Sequence, residues 1–316
     1  MKKVFLSLAL AAMAMAAVSC SEKEGAYAPK KQVAEIYSTS EEYLDNQLYD
    51  QMPRHLSQRF NWDGKQLSCI EIMDDNGASV ECKETITYDS KKRIESISIV
   101  QDGRTMKSDY TYDGKHLDNI KIYEGSTFVG QYTFKHDGKK IVTIEQTSYN
   151  DFKAKTSTVE ALRFVMDAPT AKLIDRTASK VRRTLREQGV KDAESIVFNL
   201  KWDGDNIASI DAAVPFLGSL TLSFSYDNKV NPFYNFIDID GFNPVADTYG
   251  MFNKNNVTSI TQSVPAWGIN ETMTNTYVYD GDYPTSVTFE EIGEAWDEND
   301  NVVTMTSRIT NEYIYK

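Results

Sequence analysis

Residues that could carry acid–base or metal chemistry are few in this sequence and lie far apart. The histidines, His55, His116 and His136, have no helical metal-binding spacing, and the cysteines form no Cys-x-x-Cys pair. No glycine-rich phosphate loop and no nucleophile-elbow motif is present. The sequence therefore predicts no enzyme, no metal and no cofactor. A pair of catalytic carboxylates, which is defined only by its spatial separation, is the enzymatic alternative that stays open.

Aromatic residues in connecting segments are the main candidates for ligand binding. Most of the eighteen tyrosines fall on apolar strand faces, where packing explains them. The exceptions that we single out are Tyr234, Phe242, Tyr249 and Trp267. Exposed loop aromatics can stack on sugar rings or anchor a protein partner. The alternative is a small core beneath the long connection from Asn231 to Gly250.

A second candidate is a cationic helix. Apolar residues at helical spacing predict one amphipathic helix at about residues 170–188, closed by Gly189. Its outer face could contact an anion such as a lipid headgroup, lipopolysaccharide or an acidic glycan. The alternative is a solvated face that balances the acidic sheet. The cations proposed for anion contact are Arg176, Lys180 and Arg183.

A repeated hairpin positions these candidates. The stretch Tyr112-Asp113-Gly114-Lys115 leads into an apolar alternation that includes Ile120 and Ile122. The first four copies begin 26, 24 and 24 residues apart. Asp-Gly suits a tight turn, and this period fits two strands and two turns per copy, so the sequence predicts about fourteen strands. The other copies begin at Trp62, Tyr88, His136, Trp202, Tyr226, Phe252 and Tyr279.

The alternation of apolar and polar residues indicates antiparallel strands with one buried and one wet face. The predicted fold is mainly β (α+β). It is a long antiparallel meander of repeated hairpins, whose curled sheet packs around the one inserted amphipathic helix. Before the repeats, Ser40–Leu44 could form a short helix with Ser40 as its N-cap.

The N-terminal residues predict export and a lipid anchor. Lys2 and Lys3 precede an apolar run that ends before Cys20, which is typical of a signal peptide over residues 1–19. The segment before Cys20 resembles the lipobox of bacterial lipoproteins, which implies acylation of the Cys20 thiol. The alternative is an ordinary signal peptide with an incidental cysteine. Residues 20–32 are predicted to be a flexible tether, and residues 33–316 a single repeat-built β domain.

Cys69 and Cys82 flank a hairpin turn and could in principle form a disulfide across it. The apolar residues of both strands are even-numbered, so the shared buried face requires partners of equal parity. That register places the two cysteines on opposite faces. We therefore predict two free thiols.

The copies resemble the tyrosine-aspartate (Rhs-type) repeat, and Tyr88-Asp89-Ser90-Lys91-Lys92-Arg93-Ile94 is the most similar copy. With Cys20 and the acidic segment Ser21–Glu24, the chain resembles an uncharacterised family of Bacteroidetes surface lipoproteins. The resemblance implies an antiparallel β architecture and an outer-membrane, cell-surface location. It implies no activity and no catalytic residues.

Composition limits the partners. A net charge of −12 argues against nucleic acid as a partner. The expected partners are the membrane, which the N-terminal lipid would enter, and a glycan or protein ligand. The protein itself is expected to be a monomer. The predicted function is a non-enzymatic, cell-surface binding module for a glycan or protein. One alternative is a carrier of an apolar, lipid-like ligand between sheet and helix. The other is a structural surface protein without a small ligand.

Overall fold

The protein folds into a closed antiparallel barrel. The computed structural model describes residues 23–74, 76–101, 103–148, 195–214, 218–237, 252–267, 269–296 and 302–316. In these ranges sixteen strands pair in chain order, and the last pairs with the first. The strands are β1 Val33–Leu44, β2 Gln47–Asp63, β3 Gln66–Met73, β4 Val80–Tyr88, β5 Ile94–Gln101, β6 Arg104–Asp113, β7 His116–Glu124, β8 Thr127–Asp137, β9 Lys140–Ser148, β10 Ser195–Asp203, β11 Asn206–Val214, β12 Gly218–Val230, β13 Asn255–Val264, β14 Ile269–Asp280, β15 Tyr283–Trp296 and β16 Val302–Tyr315.

The one complete helical element within the described ranges is the 3-10 turn Pro265–Trp267, and Phe252 also has 3-10 conformation. Across those same ranges, no helical segment has the length and apolarity needed to cross a bilayer. The predicted helix at about residues 170–188 lies outside the described residues.

Closure of the sheet corrects the predicted fold. β1 pairs with β16 from Val33↔Tyr315 to Leu44↔Met305, so the wall has no open edge. The prediction of a curled sheet around a helix is therefore wrong, and the described fold is all-β. The predicted helix at Ser40–Leu44 is also wrong. That segment belongs to β1, and Asp45 and Asn46, at φ of 48° and 66°, turn the chain into β2.

The barrel wall is mainly apolar inside and polar outside, although a few buried side chains, such as Glu84 and Gln146, are polar. In β7, Leu117, Ile120 and Ile122 are buried, whereas Asp118 and Lys121 are exposed. All sixteen strands contribute buried side chains to one hydrophobic cluster. The alternation that the sequence shows is thus used to fill the barrel interior, and its polar positions face water.

The Asp-Gly turns of the repeat all lie at one end of the barrel, here called the turn end. Gly64, Gly114, Gly138, Gly204 and Gly281 take φ between 57° and 64° there, which is the left-handed region that favours glycine. β1 begins and β16 ends at the same end. The opposite end, where β3 joins β4 and β13 joins β14, is called the far end.

A ring of hydrogen bonds follows the turn end. Near the end of each even-numbered strand, with one exception, a Tyr or Trp side chain donates to a backbone carbonyl at the start of the preceding odd-numbered strand. The donor–acceptor distances run from 2.6 to 3.0 Å. The seven bonds of this turn-end ring are Trp62 to Val33, Tyr88 to Leu67, Tyr112 to Ile94, Trp202 to Ile141, Tyr226 to Ile207, Tyr277 to Val257 and Tyr315 to Pro284.

Residues 23–32, here called the docked segment, pack against the turn end. Tyr27 is only 2% exposed, contacts the rings of Trp62 and Phe236, and donates to the carbonyl of Pro232 at 2.9 Å. Residues 20–32 are predicted to be a flexible tether, but the described part of that range belongs to the folded body. The buried aromatic ring explains the difference, because it stabilises a segment that lacks any apolar periodicity.

The two cysteines of the first repeat hairpin are buried, and no disulfide joins them. In the β3–β4 pair, Cys69 lies opposite Thr85 and Cys82 lies opposite Ile72. The two cysteines are therefore not cross-strand neighbours. This confirms the prediction of two free thiols. Burial raises the pKa of the Cys69 thiol, against the opposing effect of the nearby Lys83.

Candidate functional site

The turn-end ring has one exception, at the end of β8. There the repeat carries His136 instead of Tyr or Trp. By analogy with the other copies, its acceptor would be the carbonyl of Leu117 at the start of β7. Instead, His136 Nε2 lies 3.1 Å from Glu24 Oε2 of the docked segment. The Leu117 N–H donates to the same oxygen at 2.5 Å.

A second histidine completes this group. His116, at the start of β7, places Nδ1 3.3 Å from Glu24 Oε1. The two imidazole rings are 4.7 Å apart between centroids and tilted by 48°. The side chains of His136 and Glu24 are 14% and 18% exposed, and that of His116 is 37% exposed. The site is therefore sheltered but open on the His116 side.

The docked segment is held at several points on both sides of Glu24. Gly25 donates its N–H to Asn235 Oδ1 at 3.1 Å, and its carbonyl accepts from the N–H of Ile94 at 3.0 Å. The amide of Asn235 donates in return to the carbonyls of Lys23 and Ala26. Asn235 itself has a left-handed φ of 68°. Glu24 is thus placed by backbone bonds to β5 and to the connection after β12.

Gly25 is required at its position for two reasons. Its φ is 73°, and a Cβ built there would overlap the hydroxyl of Tyr112. That hydroxyl is the ring donor to Ile94, and burial raises the Tyr112 pKa, so the group stays a protonated donor over the ordinary pH range. The docked segment and the ring therefore share a close contact.

A cavity of about 360 Å³ opens beside Glu24 and His116. Its walls come from the turns after β6, β8 and β10 and from the connection between β12 and β13. The lining residues are Glu24, Lys115, His116, Lys139, Lys140, Ile141, Trp202, Asp205, Tyr234, Asn235, Ile237 and Phe252.

The cavity combines an apolar floor with a charged rim. Ile141, Ile237 and Phe252 are buried, whereas Lys115 and Lys139 are exposed. Lys140 is fixed, since its Nζ donates to the carbonyl of Gly204 at 2.6 Å and lies 5.5 Å from the centre of the Trp202 ring. Such a site can bind a ligand that has an apolar face and an anionic group, without any chemical reaction.

The structure separates the aromatic residues that the sequence groups as ligand contacts. Tyr234 lines the cavity at the turn end. Trp267 lies in the 3-10 turn at the far end, beyond the ten residues of β13, which span roughly 30 Å. The two residues cannot share one small-molecule site. The other residues proposed from the sequence lie outside the described residues: Phe242, Tyr249, Arg176, Lys180, Arg183 and Cys20.

Sequence reasoning missed Glu24, His116 and His136 as a group. Glu24 lies in the presumed tether, and it is 92 residues from His116 and 112 from His136. One signal was present, because His136 is the single imidazole among the aromatics that open the repeats.

Comparisons with known proteins give a limited result. No protein-family profile matches the chain, and no curated protein sequence does. A crystal structure of a porin-like protein from Bacteroides uniformis is similar over 90% of this chain and 98% of that one, at 12% identity and a TM-score of 0.46. A porin-like protein from Bacteroides vulgatus covers 91% and 99%, at 12% identity and a TM-score of 0.31. At these values the likeness identifies neither a family nor an activity.

Proposed function

We propose that this protein is a lipid-anchored binding protein of the outer membrane, and that it holds an acidic glycan in the turn-end cavity without chemical turnover. The observation that carries the proposal is the cavity itself. It places exposed lysines and aromatic walls above an apolar floor, in a protein with a net charge of −12.

The polarity of the wall supports an anchor rather than insertion. Membrane-spanning barrels carry an outward apolar band about 25 Å tall and a polar interior. Here the outward positions of β4 include Glu81, Lys83, Thr85 and Thr87, all of them exposed. This wall suits water, so the acyl group proposed on Cys20 would hold the barrel at the membrane.

Under this proposal, the short distance along the chain from Cys20 to Glu24 sets which end of the barrel faces the membrane. Glu24 is four residues from Cys20, and four extended residues span at most about 14 Å. An acylated Cys20 would therefore keep the turn end close to the membrane surface. The cavity then faces the layer in which membrane glycans begin.

The aromatic residues and the lysines of the cavity each have a counterpart in an acidic sugar. Trp202 and Tyr234 offer aromatic faces for the apolar side of a sugar ring. Lys115 and Lys139 offer ammonium groups for a carboxylate, and hydrogen bonds between charged groups are the stronger kind. A neutral glycan would use only the first set of contacts.

A glycan array followed by calorimetry tests the proposal. The probe is the chain from residue 20 to 316 with Cys20→Ser, which keeps the docked segment. We expect uronic-acid or sialic-acid oligosaccharides to bind and neutral ones to bind much more weakly. Tyr234→Ala and Lys139→Ala should each weaken binding about tenfold, which corresponds to about 1.4 kcal/mol.

Lys65→Ala is the matched control. Lys65 occupies in the Trp62 copy the turn position that Lys139 occupies in the His136 copy, and it is also exposed. This variant should bind as the parent chain does. Failure of every acidic glycan to bind would refute the proposal. Binding that is unchanged in Tyr234→Ala and Lys139→Ala would place the glycan elsewhere.

A further inference from the structure

We infer that Glu24, His116 and His136 form a binding site for one divalent transition-metal ion of the zinc type, which joins the docked segment to β7 and β8. This departs from the expectation of a metal-free protein, which rested on the spacing of the histidines along the chain. The site does not depend on the glycan proposal, because it is tested with the metal alone, although Glu24 and His116 also line the cavity.

The distances fit a small ion. One donor atom from each of the three side chains can be chosen so that all lie within 4.8 Å of one another. A tetrahedral ion with bonds of about 2.0 Å holds its ligand atoms about 3.3 Å apart. The two carboxylate–imidazole separations, 3.1 Å to Oε2 and 3.3 Å to Oε1, are close to this value, although they end on different carboxylate oxygens. Binding through one oxygen therefore requires a small rotation of the carboxylate and a closer approach of the imidazole nitrogens.

The donor set selects the kind of metal. Two imidazoles and one carboxylate suit zinc and its transition-metal neighbours, whereas calcium and magnesium prefer sites made of oxygen atoms alone. Three protein ligands leave one tetrahedral position for water. Glu24 and His116 both line the cavity, so this position is reachable from solvent.

The surrounding structure orients the ligands as metal sites require. The Leu117 N–H donates to Glu24 Oε2 and fixes the carboxylate between the two histidines. Gly25, next in the chain, is held by Asn235 and by Ile94. The carboxylate is therefore placed before any ion arrives, which lowers the entropy cost of binding.

The repeat supplies an independent indication. At the other seven positions of the turn-end ring, a Tyr or Trp donates to a main-chain carbonyl. At the eighth position, the partners of His136 are a carboxylate and a second imidazole instead of a main-chain carbonyl. A residue that serves only for packing would have no need of this exchange.

Zinc titration of the chain from residue 20 to 316 with Cys20→Ser tests the site. After chelator treatment and removal of the chelator, calorimetry should show one Zn²⁺ per chain, and Co²⁺ should give the visible absorption of a low-symmetry site. His136→Tyr, His116→Asn and Glu24→Gln should each weaken Zn²⁺ binding at least about 100-fold. Bound Zn²⁺ should also slow proteolytic cleavage within residues 23–32.

His136→Tyr keeps the test valid if other variants fail to fold, because it installs the side chain that other copies carry. Its thermal unfolding should be as cooperative as that of the parent chain. His55→Asn, which alters a histidine remote from the group, should keep the stoichiometry at one. The inference is overturned if the parent chain binds no Zn²⁺, which would leave carboxylate–imidazole hydrogen bonds only. Binding that survives in both His136→Tyr and His116→Asn would overturn it equally.

Discussion

At the scale of single residues, the seven donors of the turn-end ring share one physical role. Each is a Tyr or Trp near the end of an even-numbered strand, and each donates to the main chain of the preceding strand. This satisfies a carbonyl at the barrel mouth, where the sheet ladder ends. The same position in the fourth copy is His136, and there the partner is Glu24. A single substitution thus converts a structural position into a candidate site.

The ring tyrosines make stability depend on alkaline pH. Burial raises the pKa values of Tyr88, Tyr112, Tyr226 and Tyr315, whereas tyrosine in an unfolded chain titrates near pH 10. Their contribution to the free energy of unfolding is present in full below about pH 10. Above it, the free energy of unfolding should fall by about 1.4 kcal/mol per pH unit for each tyrosine, because only the unfolded chain loses the proton. Urea unfolding at several alkaline pH values measures the slope.

Tyr226→Phe separates the ring from other alkaline effects. It should lower the slope by the share of one tyrosine and should cost about 1 kcal/mol at neutral pH, since the carbonyl of Ile207 loses its donor. Tyr49→Phe is the control, because that ring is 66% exposed, and it should leave stability at neutral pH unchanged. An unchanged alkaline slope in Tyr226→Phe would contradict the role given to the ring.

At the scale of elements, the docked segment matters most, since it delivers Glu24 and covers part of the turn end. Its fit depends on Gly25, which adopts a positive φ directly against Tyr112. The copy of the repeat that begins at Tyr88 also carries a buried arginine. Arg93 makes a two-pronged ion pair with Asp89 and lies 3.9 Å from the centre of the Tyr112 ring. Although burial opposes it, hydrogen bonding from Arg93 and Lys91 lowers the pKa of Asp89.

Gly25→Ala should release the docked segment. The added Cβ overlaps the Tyr112 hydroxyl, so the segment must move away, and Glu24 moves with it. We expect rapid proteolytic cleavage within residues 23–32 and loss of the zinc stoichiometry, with the barrel still folded. Limited proteolysis with mass spectrometry measures the first effect.

Gly103→Ala provides the control for backbone strain. Gly103 has nearly the same φ, 74°, and no atom lies within 4 Å of a Cβ built there. It should cost only the left-handed penalty of about 1–2 kcal/mol, with the docked segment still protected. Equal protection in the two variants would show that the segment is not held by the contact at Gly25.

At the scale of the whole molecule, closure and wall polarity decide how the barrel meets its surroundings. A sixteen-stranded barrel of the porin kind encloses water. In this protein, side chains from all sixteen strands form one buried apolar cluster, and polar side chains such as Glu84, Gln146 and Gln262 are buried as well. The outward side chains Glu81, Lys83, Thr85 and Thr87 of β4 are exposed, so this part of the wall is polar.

Cys20→Ala tests the proposed anchor at this scale. Without the thiol no acyl chain can be attached, and the described outward side chains of β4 are polar, unlike the apolar band of a membrane-spanning barrel. We expect the protein to move from the membrane fraction to the soluble fraction on cell fractionation, with the barrel still folded. Ser19→Ala, which leaves the thiol in place, is the matched control and should stay with the membrane. A Cys20→Ala protein that remains in the membrane after residues 1–19 have been removed, as mass spectrometry would show, would argue for insertion of the barrel.

The sequence by itself determined the local features of this protein. The period, the Asp-Gly turns, the buried parity of residues such as Ile120 and Ile122, and the free thiols all follow from neighbours within one or two strands. Tertiary structure alone decided closure, since β1 and β16 lie at opposite ends of the chain and must match in register. It also decided that Glu24 meets His116 and His136 across 92 and 112 residues. Backbone preferences and the alternation of side chains act over a few residues. Closure of the barrel and the meeting of Glu24 with the two histidines depend on the number and register of all the strands together.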